Sequence, residues 1–286
     1  MRGKIKLFIL LLLHYYVPET LGAKLRQHKI NYLDGVGNGS IQDETFFYEI
    51  SGRKKKTPQV LPNRTQQVAG TKIIYQLLKN PQLCDKPYRT IAQQAQVALG
   101  AVGPVIKELH KKNLLADDVD GTRRVAHATA LRQLWEAAYL GRLRPKLQLE
   151  RCELSSPWHT DNLPLLIKEQ NLEDQVVVGG EMAASFYCEH SHVRTAVLHL
   201  AESTALKQML QLRLIPCTDG PITIVNQFSL NDAFEQRSAE GLLLADPRLV
   251  RCELLYDERL QDVKYTNLAS QIEQEYLLGT EQLYEG

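Results

Sequence analysis

The chain has 286 residues, enough for two domains of ordinary size or one large one with a real core. Its formal net charge is only +1, but residues 1–150 hold 24 Lys and Arg against 12 Asp and Glu, while residues 151–286 hold 10 against 21. A basic half suits a phosphate backbone and an acidic half repels it, so a charge-segregated chain of this kind points to nucleic acid at one end and a different partner at the other, unless the charges merely sort onto solvated faces. Five cysteines, an odd number with no Cys-x-x-Cys pair, exclude a simple disulfide framework and argue for a reducing compartment.

The chain opens with a basic segment, Met1-Arg-Gly-Lys4, and an apolar run, Ile5 to Leu13. The run is too short to span a membrane as a helix. It reads either as a signal peptide, with Thr20-Leu-Gly-Ala23 offering small residues but no clean small-x-small pair, or as a buried strand followed by a helix over Pro18–Arg26 with proline near its first turn. Composition leaves both open. Ile30 to Asp34 then predicts a strand entering the turn Gly35-Val-Gly-Asn-Gly39, and Ile41 to Ile50 a second strand region. The glycine spacing fits neither the dinucleotide fingerprint nor the P-loop, so a hairpin turn is the better reading. Arg53-Lys-Lys-Lys56 enters a proline-bearing linker, Thr57 to Asn63, where a domain boundary is expected; the basic run is either an arm along DNA phosphates or a solvated linker.

The most informative stretch runs from Thr71 to Lys146. Ile73, Ile74, Leu77 and Leu78 supply one helix. Ile91, Ala92 and Ala95 supply a second, with Thr90 as its expected cap, and Val102, Val105, Ile106 and Leu109 mark the buried stripe of a third. A Gly-containing turn at Ala98-Leu-Gly100 separates the second and third. Asp120-Gly121, between Leu114–Val119 and Thr122–Ala126, is a strong hairpin signal. Three helices and a two-stranded wing make a winged helix. Thr129 is placed to cap a further helix, Ala130 to Leu140.

The acidic half alternates in type. Strands are expected near Leu147–Leu154, Gln175–Val178, Thr195–Leu200, Ile222–Phe228 and Leu249–Leu255. Helices are expected near Leu163–Gln170, Gly180–Tyr187, Thr204–Leu212 and Asn267–Leu277. Alternation of this kind predicts a sheet covered by helices. The fold class is therefore mixed α/β (α+β), a central winged helix-turn-helix followed by a C-terminal sheet-and-helix domain, with boundaries at 1–56, 57–146 and 147–286.

Enzyme chemistry finds incomplete equipment. The turn Gly179-Gly180 after an apolar strand suits the start of a nucleotidyltransferase fold, but that chemistry needs paired carboxylates on the next strand, and Arg194 to Leu200 has none. A nuclease built on Asp34 and Glu49 lacks a lysine close behind. Cys188, His190 and His192 alternate as strand neighbours do, yet no fourth zinc ligand is apparent nearby. Glu181 reads better as a negative charge at a helix N-terminus than as a catalytic group. Trp135 and Tyr139, one helical turn apart, read as core. No catalytic residue, metal or cofactor is expected.

Pro87-Tyr-Arg-Thr-Ile-Ala92, Val97-Ala-Leu-Gly-Ala-Val102, Leu134-Trp-Glu-Ala-Ala-Tyr139, Leu143-Arg-Pro-Lys-Leu147 and Gly179-Gly-Glu-Met-Ala-Ala184, in this order and spacing, resemble the AbiEi-type antitoxins, winged-helix regulators of bacterial type IV toxin–antitoxin (abortive infection) systems. Asn31-Tyr-Leu-Asp-Gly-Val-Gly-Asn38 is similar to the segment that precedes the winged helix there. The resemblance implies a cytoplasmic, non-enzymatic, DNA-binding repressor of its own operon that counteracts a nucleotidyltransferase-like toxin, with double-stranded operator DNA as partner and no membrane. It also implies that the apolar start is a strand of a truncated N-terminal region. Two departures stand out. Pro104 inside the third helix would cost about 3 kcal/mol outside the first turn, so a later helix start is expected. The groove-facing surface offers Gly100, Ala101, Gly103 and Pro104 with no Arg, Asn or Gln to read bases. The expected DNA contacts are thus mostly phosphate grips: Arg89, Thr90, Lys107, Lys111, Lys112, Arg123 and Arg124, with Ala101 and Gly103 facing the groove.

Overall fold

The computed structural model describes residues 10–54, 63–188, 193–229, 233–238, 241–257, 263–279 and 281. The chain forms two compact units, residues 1–62 and 63–286. Ile5 to Ile9 of the apolar run, Lys55 to Pro62 of the basic run and linker, and His190 and His192 lie outside the described residues.

The first unit is a four-stranded sheet. β1 (Leu11–His14) leads through helix α1 (Glu19–Gln27) to β2 (Asn31–Asp34), which pairs with it in parallel; β3 (Gly39–Gln42) and β4 (Phe47–Ile50) add on in antiparallel fashion. The end of the apolar run, Leu11 to Leu13, does lie in a strand, but not a buried one: all four residues of β1 are exposed, and among the described residues it stands at the sheet edge. The strand region expected over Ile41–Ile50 holds the end of β3 and all of β4, separated by a turn at Asp43, whose N–H donates to the Phe46 carbonyl and whose carboxylate accepts from Glu44 N–H. Asp34 organises the glycine-rich turn. Its carboxylate accepts from the backbone of Val17, Val36 and Asn38 and from the Asn38 amide. Burial alone would raise its pKa, but these donors outweigh it and hold the carboxyl below its ordinary value. A carboxylate so occupied has no room for the metal that a nuclease would need.

The second unit begins with a 3₁₀ turn, Arg64–Gln66, and helix α2 (Val68–Lys79), whose Ile73, Ile74, Leu77 and Leu78 are buried as the periodicity requires. After a second 3₁₀ turn, Pro81–Asp85, come α3 (Tyr88–Gln94) and α4 (Leu99–Lys111), then the antiparallel pair β5 (Leu115–Asp117) and β6 (Arg123–Val125), closed by Gly121 at φ +84°. Helix α5 (Ala128–Ala138), a widened π turn at Tyr139–Leu143 and the short α6 (Arg144–Leu147) lead into the sheet.

That sheet is assembled from β7 (Gln148–Leu154), β8 (Val177–Gly179), β9 (Ala196–Leu200), β10 (Leu214–Pro216), β11 (Ile222–Asn226), β12 (Ala233–Arg237) and β13 (Leu243–Ala245), in the spatial order β10-β7-β11-β9-β8-β13-β12. Pairing is mixed: β11 with β9 and β13 with β8 are parallel, the others antiparallel. Helices α7 (Leu163–Glu169), α8 (Gly180–Tyr187), α9 (Glu202–Gln211), α10 (Pro247–Tyr256) and α11 (Val263–Ile272), with a closing π turn at Glu273–Leu278, accompany it. The architecture is mixed α/β, and one apolar cluster runs through this unit from Ile73 to Ile272. At its centre Trp135 stacks between Tyr75 and Tyr139, with ring centroids 5.4 and 5.1 Å away, so both aromatics of α5 and its π turn are core as expected.

Four local expectations need correction. Leu249–Leu255 is not a strand but the body of α10: Asp246 caps it by accepting from Arg248 N–H, Pro247 takes the first position, and near-complete burial removes the polar face that would have shown helical period. Thr90 and Thr129 cap nothing, since α3 starts at Tyr88 behind Pro87 and α5 at Ala128 behind His127. The turn before α4 contains no glycine; Gln96 makes it at φ +51°, and Gly100 is already helical. Finally, α4 does not begin late to avoid Pro104. The proline sits exposed in its second turn, and Gly100, whose carbonyl the missing N–H would have met, is itself exposed and open to water.

Candidate nucleic-acid interface

Helix α4 packs its stripe of Val102, Val105, Ile106 and Leu109 inward, which leaves Gly100, Pro104, Lys107 and Lys111 along the opposite side at spacings of three and four. On α3, burial of Ile91, Ala92 and Ala95 turns Arg89 and Gln93 outward, one turn apart. Arg89, Lys107 and Lys111 make no ion pair among the described residues, so their charge is free for an external anion.

The remaining expected contacts are already engaged. Lys112 pairs with Glu108 at 3.2 Å and donates to the Thr65 hydroxyl. Glu108 in turn accepts from the backbone of Arg64 and Thr65 and from the Thr65 hydroxyl, tying α4 to the 3₁₀ turn before α2. Burial would raise the Glu108 pKa, but bonds from Thr65, Lys112 and Arg64 prevail and hold it low. Arg124 pairs with Asp118 at 2.7 Å across the base of the hairpin loop. Arg123 lies over the Tyr88 ring and donates to the Lys86 carbonyl, while its own N–H donates to Asp85. The Cys84 thiol donates to the Arg123 carbonyl, and burial pushes that thiol up to about 11. Together these contacts fasten β6 to the loop before α3.

Between α4 and the hairpin lies an open depression of about 540 Å³ lined by Tyr88, Gly103, Ile106, Lys107, His110, Asp117 and Arg123. Gly103 forms its floor. A Cβ there would lie 3.4 Å from the Tyr88 ring, in van der Waals contact with it. Thr90 is half-buried, and Ala101 faces the side of α4 that also carries Glu108 and Lys112. Tyr88, Gln93 and Gln96 did not figure among the expected contacts, although all three lie in or beside the quoted segments Pro87–Ala92 and Val97–Val102. The readable signal was the glutamines that follow Arg89 and Thr90.

Of the residues weighed for enzyme chemistry, Gly179, Gly180 and Glu181 are buried. Gly179 and Gly180 do form a turn between β8 and α8, and the next strand carries His199 where a carboxylate pair would be needed. His199 Nε2 lies 2.8 Å from Glu253, which also accepts from Gly180 N–H; both side chains are buried. Glu181, in the first turn of α8, accepts from the backbone of Arg194 and Thr195 and from the Tyr265 hydroxyl, so it anchors the start of β9. No group of three His, Cys, Asp or Glu suited to a metal occurs among the described residues, and Cys188 is buried. None of the described helices is long and apolar enough to cross a membrane.

The class to which the chain belongs is that of a transcriptional regulator. A family profile described as transcriptional regulator, AbiEi antitoxin of type IV toxin–antitoxin systems, matches residues 124–278, more than half of the chain. The protein belongs to the AbiEi antitoxin family. The match begins within β6 and covers α5 and the sheet, so α2 to α4 lie before it. Comparison with curated proteins and with solved structures gives no match.

Proposed function

We propose that the protein is the antitoxin of a type IV system that binds double-stranded operator DNA through residues 57–146, represses its own operon, and uses the acidic residues 147–286 to counteract a nucleotidyltransferase-like toxin. In this reading α2, α3, α4 and the β5–β6 hairpin act as a winged helix-turn-helix, with α4 in the major groove. The observation that carries it is the outward side of α3 and α4, where Arg89, Lys107 and Lys111 stand without ion-pair partners in a member of a regulator family. Arg123, Arg124 and Lys112 contribute after exchanging a protein partner for phosphate, and Thr90, Ala101 and Gly103 permit close approach. No catalytic step is assigned to the chain, and its expected setting is the cytoplasm.

Binding of the protein to the DNA upstream of its own gene, compared with an unrelated duplex of equal length across a salt series, tests the first half. Tighter binding upstream, with steep salt dependence for both, is expected. No binding to either duplex at low salt would overturn it. Rescue of growth on co-expression with a toxin encoded beside the gene tests the second half.

A further inference from the structure

Resting on the reading of α3 and α4 as the DNA-facing pair, we infer that base discrimination is carried by Gln93 and Gln96, with Leu99 and Pro104 taking thymine methyl groups, so that the recognised duplex places A·T pairs beneath the α3–α4 turn. The first half of the outer stripe of α4 has no side chain able to hydrogen-bond a base: it is Gly100 and Pro104. A Cβ on Gly100 would meet nothing within 4 Å, so the helix presents bare backbone there and a duplex can approach it closely. That approach brings within reach the residues just before the helix.

Gln93 points outward from α3 beside Arg89, and Gln96 makes the turn at φ +51°, a conformation that side-chain-bearing residues adopt at a cost and that glycine or asparagine would adopt more cheaply. Both glutamines are exposed, and neither side-chain amide has a hydrogen-bond partner among the described residues. A glutamine amide presents one donor and one acceptor side by side, the complement of adenine N7 and N6 in the major groove. Leu99 is a large exposed apolar residue at the helix start and Pro104 the next apolar surface along the stripe; the C5-methyl of thymine is the apolar group that such a surface meets. Arg89, one turn before Gln93, then grips phosphate and fixes the register.

The test is selection from a pool of random-sequence duplexes with the full chain, comparing wild type, Gln93→Ala and Gln96→Gly. Gln96→Gly keeps the positive φ and removes only the amide, so its thermal midpoint should equal or exceed that of wild type. Wild type should enrich sequences sharing A·T pairs, and each variant should lose preference at one position by about tenfold while binding the unselected pool with unchanged affinity and salt slope. Enrichment unaffected in both variants, or enriched sequences without A·T pairs, overturns the assignment and leaves DNA binding standing. Binding without any enrichment by wild type does the same. Failure of wild type to bind any duplex overturns both readings.

Discussion

The guanidinium of Arg123 sits 5.1 Å from the centroid of the Tyr88 ring, which joins the second strand of the hairpin to the first turn of α3. Such a contact is worth about 0.5–1 kcal/mol at an exposed site. Tyr88→Leu should therefore leave the fold intact, speed hydrogen exchange in the hairpin amides of Thr122 to Val125, and weaken DNA binding two- to fivefold. Unchanged exchange would mean that the hairpin is held by Asp85 and the Cys84 thiol alone.

Arg123→Ala combined with Arg124→Ala should weaken binding evenly across sequences and lower the slope of log K against log salt by about one to two, since each neutralised phosphate contributes about 0.9. Arg124 must first release Asp118 at 2.7 Å, so the lower figure is expected if that pair persists on DNA. An unchanged slope would remove the hairpin from the interface.

Glu108 gives a pH signature. Its folded carboxyl holds a proton less tightly than it does in the unfolded chain, because donors from Thr65, Lys112 and Arg64 outweigh burial. The stability it contributes is thus fully present above the unfolded carboxylate value and is lost as pH falls through the lower, folded one. Thermal unfolding of wild type and Glu108→Gln from pH 7 to pH 3 should show a gap of about 1–2 kcal/mol that closes at the acid end. A gap constant with pH would mean that the glutamine fails for reasons of shape rather than charge.

Gly179 has no freedom to grow. A Cβ there would stand 2.4 Å from the Glu253 carboxylate and 2.8 Å from the His199 ring, both of them buried. Gly179→Ala should lower the unfolding midpoint by several degrees, and deleting the obstructing ring in Gly179→Ala/His199→Ala should recover part of the loss, a coupling read from a double-mutant cycle.

Arg132 is fully buried and meets three carboxylates: Glu136 at 2.8 Å, Glu281 at 2.6 Å, and Glu273, which also pairs with Arg251. Removing it in Arg132→Met leaves acidic groups in the interior without their main cation, a loss of about 3–5 kcal/mol. Chemical denaturation measures it directly. A variant as stable as wild type would show that Arg251 alone neutralises the cluster.

How much of this was readable beforehand depended on whether a residue's environment shows in its neighbours. The stripe of α4 was legible because one buried side alternates with an exposed one, that of α2 because its buried Ile73, Ile74, Leu77 and Leu78 recur at helical spacing, and Asp120-Gly121 gave the hairpin because its turn demands a positive φ that glycine supplies. Helix α10 was misread because Leu249, Val250, Cys252, Glu253 and Leu254 are all buried, so the period vanished, although Asp246-Pro247 carried the cap signal. Strand β13, three residues long, left too few to register, and β12, Ala-Phe-Glu-Gln-Arg, carries only two apolar residues in five. At the candidate interface, the outward cations were visible, but their pairing was not: that Asp118 holds Arg124 and Glu108 holds Lys112 depends on rotamers and distances that spacing does not encode. Gln96 was hidden for another reason, since nothing in its sequence announces a left-handed backbone.

The Arg132 cluster also constrains the order of events in making the protein. Helix α5 follows the hairpin directly, yet its buried guanidinium and the Thr129 hydroxyl find their acidic partner at Glu281, nearly 150 residues later. Until Glu273 and Glu281 are made, Arg132 has Glu136, one turn along its own helix, as its carboxylate partner and lacks the other two. The full set of α5 contacts thus closes over a sequence separation of 149 residues, a non-local contact of the kind that slows folding.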